Sequence, residues 1–228
     1  LQFLVDKPVQ AMDYQTIKLA YKWIEEHFII VTNKEVLSYA DLILYAEILM
    51  ANNEHFDGFF IDPYNSLKIT LGSNNIGVHQ YHYEAASEFL TFSTANKKAV
   101  WLNTHAVTEA QRRKGPDGLP IAPYAEDTEG GGLFVNRSDC FLTFHRKIQH
   151  EDSETRRTME FHVRKVREQE TGGGPTSLDS PFLFKMNSSN TAFYTKNKQM
   201  RLFEPMDFLP KESDQMDIPI SYELDDIF

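Results

Sequence analysis

Three segments of the chain place apolar residues three or four positions apart, which is the spacing of one face of an α-helix. Asp13 stands where an N-cap residue is expected before the first segment. Ser38 and Asp41 form a capping-box-like start for the second segment. These patterns predict helices through about residue 27, over 39–51 and over 81–95.

Short apolar runs alternate with these helices at residues 28–31, 58–62 and 99–103. Alternation of helices with continuous apolar strands favours right-handed crossovers and a mostly parallel sheet covered on both faces. After Gly130 the pattern changes to strands at 139–144, 157–166 and 182–186, which we expect to extend the same sheet in antiparallel fashion. The predicted fold class is α/β, with a long Gly- and Pro-rich loop over 115–132.

The composition is that of a globular protein of one domain plus a tail. The chain has 228 residues, of which 41% are hydrophobic and 25% charged. Its most apolar stretch, 42–51, is interrupted by Glu47 and is too short to span a bilayer. A single cysteine, Cys140, excludes an intrachain disulfide. We therefore expect a cytoplasmic protein without a membrane partner.

The net charge of −10 is unevenly distributed. Residues 204–228 hold eight acidic residues and one basic residue, so most of the negative charge lies in the tail. The body contains basic clusters, among them Arg112, Arg113 and Lys114. Such a cluster suits contact with nucleic-acid phosphates, although a solvated surface explains it equally simply.

Two predicted strands end in residues that carry chemistry. Asp62 closes the run 58–62, and His105 follows the run 99–103. The carboxyl ends of parallel strands form the ligand crevice of α/β folds, where Asp62 would hold magnesium and His105 would contact a phosphate. The simpler alternatives are a loop-capping aspartate and a structural histidine.

Two further motifs lie in the second half of the chain. Gly130, Gly131 and Gly132 follow Glu129 and would let the backbone approach a ligand or another chain, or would simply form a turn. Lys165 and Arg167 are two positions apart in a predicted strand, so they point to the same side and would both meet one anion. The alternative is an exposed edge strand.

The order of these motifs resembles the RecA-like ATPase core of hexameric replicative DNA helicases. The relevant families are the DnaB and Twinkle type and the helicase half of phage primase-helicases. The resemblance covers residues 12–186 and implies a core over 1–202, followed by an acidic, extended tail over 203–228. It also implies ATP and Mg²⁺ as cofactors, single-stranded DNA as a partner, and a homo-oligomeric, hexameric ring.

The resemblance further assigns roles to individual residues. Asp62 looks like the magnesium-holding Walker B acid, and His105 looks like the γ-phosphate sensor. Lys165 and Arg167 look like finger residues offered to the neighbouring subunit's nucleotide, and Arg146 is assigned to the nucleotide as well. Residues 73–82 and 111–132 are similar in position to the pore loops that hold single-stranded DNA. The second of these loops contains all the residues assigned to DNA: Arg112, Arg113, Lys114, Gly130, Gly131 and Gly132.

One element of that family is missing from the sequence. No G-x-x-x-x-G-K-S/T motif occurs in the 228 residues, so this polypeptide alone should not hold the phosphates of ATP. Because the chain opens with Leu1, we expect that the motif lies upstream and has been truncated. The alternatives are a degenerate RecA-like interaction module that is not an enzyme, and a recombinase-like ATPase without unwinding activity.

The acidic tail ends in Asp225, Asp226, Ile227 and Phe228. Its last residues resemble the Phe-terminated acidic tips of bacterial single-strand-binding proteins, which suggests a replication protein as partner. A tail that only improves solubility is the alternative.

Overall fold

The computed structural model describes residues 13–31, 35–70, 77–187 and 193–195. Its helices are α1 (Tyr14–His27), α2 (Tyr39–Ala51), α3 (Val78–Asn96), α4 (Gly132–Arg137), α5 (Ser153–Arg157) and α6 (Gln169–Gly172). Its strands are β1 (Gly58–Ile61), β2 (Ala99–Leu102), β3 (Cys140–His145), β4 (Thr158–Val166), β5 (Phe182–Met186) and β6 (Phe193–Thr195). Short 3₁₀ turns cover Tyr64–Ser66, Thr108–Arg112 and Ala125–Asp127.

The predicted helix starts are confirmed by their caps. The Asp13 carboxylate accepts a hydrogen bond from the Thr16 N–H at 2.9 Å. Ser38 and Asp41 form a complete capping box, so that α2 begins at Tyr39. The third helix begins three residues earlier than predicted, because its first turn is exposed and so carries no apolar stripe.

The strands form two sheets. β1 and β2 pair in parallel, with Gly58 opposite Ala99 and Ile61 opposite Leu102. The second sheet has the order β3-β4-β5-β6, and β3 and β4 pair antiparallel. The expectation of one continuous sheet was wrong for the described residues, because an apolar pattern identifies a strand without specifying which strand lies beside it.

The apolar run 28–31 was predicted as a strand and is not one. Its residues follow α1 outside any described sheet, and all four are exposed. Apolar character alone indicates a segment suited to burial, whereas a strand also needs a hydrogen-bonding neighbour.

The described residues divide into two compact units, one containing 13–31, 185–187 and 193–195, and the other containing 35–70 and 77–184. The second unit contains the core described here, in which α2 and α3 pack with β1 through aromatic rings. Tyr39 meets both Tyr81 and Phe89 edge to face, at centroid distances of 5.1 and 6.1 Å. Phe89 also meets Phe59 of β1 at 6.5 Å. Such T-shaped pairs add specific geometry to the burial of apolar area.

No helix among the described residues is long and apolar enough to cross a membrane. The predicted boundary at residue 203 and the acidic tail lie outside the described residues.

Candidate functional site

The parallel register of β1 and β2 brings together the polar residues that follow the two strands. Because Ile61 lies opposite Leu102, Asp62 and Asn103 leave the sheet side by side. Asn103 Nδ2 donates to Asp62 Oδ1 at 2.5 Å, and the Asn103 N–H donates to the Ile61 carbonyl at 2.9 Å. Asp62 is exposed. Its carboxylate is thus oriented by an amide and accessible from solvent.

Asp62 suits one part of a magnesium–nucleotide site. Magnesium is commonly held by one or two carboxylates, with water and phosphate oxygens filling its other positions. The described residues contain no group of three or more His, Cys, Asp or Glu that could hold a metal by themselves, so Asp62 would act as a single carboxylate ligand. The 228 residues contain no phosphate-binding P-loop sequence. The chain therefore fits the metal side of such a site and does not supply the phosphate cradle.

His105 lies three residues beyond the end of β2 and is exposed. Its backbone N–H donates to Asn65 Oδ1 at 2.7 Å. Thr104 Oγ1 donates to the same oxygen at 2.8 Å. These two bonds fix the backbone at His105, while the imidazole remains accessible at the edge that carries Asp62.

A group of residues beneath this edge was missed by the sequence reasoning. Asn65 Nδ2 donates to Glu129 Oε2 at 2.5 Å. The other oxygen of Glu129 lies 4.0 Å from His82 Nε2, and His82 Nδ1 lies 2.8 Å from the Tyr64 hydroxyl. A small pocket opens between these side chains. Asn65 follows Asp62 closely, so the strand-end rule that selected Asp62 could have selected it too.

His82 is buried, with 3% of its surface exposed. Burial lowers its pKa, and the nearby Glu129 carboxylate opposes this effect only in part. Its Nε2 atom has no hydrogen-bond partner among the described residues. A neutral imidazole is therefore the form that this position favours.

The Gly-rich loop is built around two glycines with positive φ. Gly130 has φ of 80° and Gly131 has φ of 53°. A Cβ atom at Gly130 would come within 2.8 Å of the Phe134 ring, so a side chain there would displace a core residue. Gly132, the first residue of α4, has no atom within 4 Å of its Cβ position among the described residues. Two of the three predicted glycines are thus needed by the backbone, and the third faces open space.

The predicted DNA-contacting bases differ in their surroundings. Arg112 pairs with Glu109 at 2.7 Å, and both side chains are largely exposed. Arg113 forms an ion pair with Asp127, and its guanidinium lies 4.4 Å from the centre of the Tyr124 ring. Lys114 is exposed. The chain itself therefore holds Arg113, while its two neighbours are accessible.

Lys165 lies in β4, and Arg167 is the first residue after that strand. Lys165 Nζ donates to the Val135 carbonyl at 2.5 Å, at the end of α4. Arg167 forms an ion pair with Asp139 at 2.6 Å. Burial, and after it the charge of Arg167, lower the pKa of Lys165. Lys165 therefore contacts the last turn of α4, and Arg167 contacts the segment between α4 and β3.

The remaining predicted residue, Arg146, is exposed and directly follows β3. Its neighbour Lys147 forms an ion pair with Asp117 at 2.6 Å. Arg164, a base that was not selected as a site residue, donates to the Pro123 carbonyl at 2.7 Å. Lys147 and Arg164 therefore hold parts of the chain's own structure.

Solved structures with a similar fold include an ATPase domain and a replicative helicase. The ATPase domain matches with a TM-score of 0.61 and 14% identity, over 81% of this chain and 61% of that one. The second structure is a DnaB-like replicative helicase, solved in a study of its interactions with primase. It matches with a TM-score of 0.60 and 13% identity, over 82% of this chain and 42% of the helicase chain.

These likenesses show that the chain has the mixed α/β, RecA-like fold of DnaB-type helicase domains, as predicted. The chain spans less than two thirds of either of these two structures. No family model matches the sequence, and no curated protein matches it.

Proposed function

We propose that this chain is part of an ATP-dependent, ring-forming replicative DNA helicase that translocates on single-stranded DNA. One observation carries the proposal: within a RecA-like fold, Asp62 and His105 each follow the carboxyl end of one strand of a parallel pair, at the same edge of the sheet. That edge is where α/β folds bind their ligands. The likeness to an ATPase domain and to a DnaB-like replicative helicase supports the choice of activity within this fold.

In this proposal the nucleotide is handled by a small set of side chains. Asp62 holds Mg²⁺, and His105 senses the γ-phosphate of ATP. Lys165 and Arg167 leave their intramolecular partners to stabilise charge on the neighbouring subunit's nucleotide, and Arg146 contacts the nucleotide as well. Because the 228 residues contain no phosphate cradle, this chain alone should hydrolyse no ATP.

Single-stranded DNA is the proposed second ligand. Arg112, Arg113 and Lys114 would meet its phosphates, and residues 130–132 would bring backbone N–H groups close to it. The subunits would form a hexameric ring around the strand. The site of action would be the cytoplasm of a bacterial or phage-infected cell.

The missing P-loop sequence favours one alternative, a RecA-like interaction module that binds partners without hydrolysis. The two functions are separated by expressing the protein from its natural start codon and measuring DNA-stimulated ATP hydrolysis and unwinding of a forked duplex. The helicase proposal requires both activities, and it requires that Asp62→Asn lower turnover by about a hundredfold or more. Turnover of Asp62→Asn within tenfold of the parent would refute the role of this carboxylate. Absence of hydrolysis by the parent protein would favour the module.

The tail offers a separate proposal, for residues outside the described part of the chain. The Phe228 ring would dock on a replication protein, with the neighbouring acids meeting basic residues of that partner. Phe228→Ala should then abolish capture of the partner while leaving the charge of the tail unchanged. If the parent tail and the Phe228→Ala tail capture the same proteins in a pull-down, docking through Phe228 is refuted and the tail acts through its charge alone.

A further inference from the structure

One amide side chain joins the two loops to which the proposed function gives different ligands. Asn65 Oδ1 accepts hydrogen bonds from Thr104 Oγ1 and from the His105 N–H, at 2.8 and 2.7 Å. Its Nδ2 donates to Glu129 Oε2 at 2.5 Å. Asn65 thus contacts the strand end that carries His105 and the residue that precedes Gly130, although these lie 24 or more positions apart in sequence.

The backbone that presents this amide is firmly anchored. Tyr64, immediately before Asn65, is buried with 3% exposure, and its N–H donates to the Asn103 carbonyl at 2.7 Å. Its ring meets Phe134 of α4 edge to face at 4.9 Å, and its hydroxyl reaches His82. A displacement of the β2 end therefore cannot be absorbed easily by movement of Asn65 itself.

The two loops also touch directly. The Val107 N–H donates to the Asp127 carbonyl at 2.7 Å, and Ala106 forms an isolated antiparallel bridge with Thr128. Beside that bridge, Asn65 adds one hydrogen bond to each of the two segments, at His105 and at Glu129. Contacts between neighbouring residues therefore connect His105 with Gly130 and Gly131, the two glycines with positive φ.

We propose that Asn65 is a positioning residue that couples the nucleotide-sensing end of β2 to the Gly-rich loop, so that nucleotide and single-stranded DNA change each other's affinity. This inference rests on the proposed function of the two loops. Such coupling between sites is reciprocal, and typical values change an affinity about 5- to 150-fold. The amide is suited to the link because it accepts on one side and donates on the other.

Asn65→Asp tests the link with almost no change of shape. The aspartate keeps the acceptor for Thr104 and His105, but it replaces the donor to Glu129 with a carboxylate oxygen. Adding Glu129→Gln supplies a new donor from the opposite side and should restore the bond with reversed polarity. Asn136→Ala is the matched control, because Asn136 is an asparagine on α4 whose described contact is made by its backbone carbonyl, with Lys165.

The first readout needs neither nucleotide nor DNA. Hydrogen exchange of the Gly131 amide, which donates to the Thr128 carbonyl at 2.8 Å, reports opening of the loop. We expect exchange about tenfold faster in Asn65→Asp, and rates within twofold of the parent in the double variant and in Asn136→Ala. Unchanged exchange in Asn65→Asp, or failure of Glu129→Gln to restore it, would overturn the link.

The second readout is the ratio of single-stranded DNA Kd values measured without and with a non-hydrolysable ATP analogue, in the protein expressed from its natural start. We expect this ratio to move at least fivefold towards one in Asn65→Asp and to recover in the double variant. A parent protein that binds both ligands with a ratio near one would overturn the coupling and leave the proposed function intact. A parent protein that binds neither the ATP analogue nor single-stranded DNA would refute both the coupling and the proposed function.

Discussion

At the ends of β1 and β2, neutral amides bind the Asp62 carboxylate and the backbone at His105. At the end of β4, charged side chains bind carbonyl and carboxylate oxygens of the chain. Asn103 and Asn65 orient Asp62 and the His105 backbone and leave both residues exposed. Lys165 and Arg167 instead direct their charges to the chain's own carbonyl and carboxylate oxygens. An amide can position a group without neutralising it, but a cation that is already paired must exchange partners before it can serve a ligand.

The comparison predicts the largest effect for a residue at the strand ends. His105→Ala removes the exposed imidazole while its backbone bond to Asn65 remains available, so the loss should fall on the chemistry and not on the fold. We expect turnover of the protein expressed from its natural start to fall about a hundredfold, comparable to the loss of a charge-stabilising group. The control is His55→Ala, since His55 is an exposed histidine that pairs with the equally exposed Asp57 in the described structure. Equal turnover of His105→Ala and His55→Ala would show that the His105 imidazole takes no part in hydrolysis.

The basic cluster allows the same comparison among three consecutive residues, because Arg113 is paired with Asp127 while Arg112 and Lys114 are largely exposed. Neutralising Arg112, Arg113 and Lys114 together should reduce the log–log salt slope of single-stranded DNA binding by about 2, at roughly 0.7 per phosphate contact. When the salt concentration is raised fourfold, the variant should therefore lose about twentyfold less affinity than the parent. If Arg113 stays paired with Asp127 during DNA binding, only two phosphate contacts are lost and the salt slope should fall by about 1.4. In that case Arg113→Gln alone should leave the slope unchanged and lower the midpoint of unfolding. An unchanged slope would identify the cluster as a solvated surface.

A smaller effect concerns pH and the buried imidazole beneath the strand ends. Burial holds the pKa of His82 below its ordinary value of 6.5. The unfolded chain therefore takes up a proton at a higher pH than the folded chain, so the free energy of unfolding falls as pH drops below about 6.5 towards the folded-state pKa. One such site contributes at most about 1.4 kcal/mol per pH unit.

His82→Asn should flatten this dependence when urea unfolding of the chain is measured between pH 7 and pH 5. Burial also lowers the pKa values of His145 and His162, so part of the slope should remain. His55→Asn, at an exposed histidine, is the control for the loss of one imidazole. A His82→Asn slope equal to the parent's would show that His82 is not the group that titrates.

The sequence predicted those parts of the fold that depend on local chemistry. Asp13 and Ser38 cap their helices as expected, because a cap needs only residues within the first turn. The run 28–31 was mispredicted, and the two sheets were merged, because strand pairing depends on partners that are distant in sequence.

The same distinction applies to the candidate site. Asp62 and His105 could be selected because each follows an apolar run, and strand ends converge in α/β folds. The partnership of Asn65 with Glu129 could not, since 64 positions separate them and no local pattern links them. The intramolecular partners of Arg113, Lys165 and Arg167 were hidden for the same reason: a basic residue looks the same in sequence whether it faces solvent or a carboxylate.

The most direct test of the account is a mixing experiment on the two contrasted regions. Subunits with Asp62→Asn lack the carboxylate at the end of β1, and subunits with Arg167→Ala lack a cation at the end of β4. If the first region serves a subunit's own nucleotide and the second serves its neighbour's, each inactive subunit supplies what the other lacks. ATP hydrolysis should then reappear when the two are mixed at comparable amounts. No recovery at any mixing ratio, with joint assembly confirmed, would contradict the division of roles between the strand ends and β4.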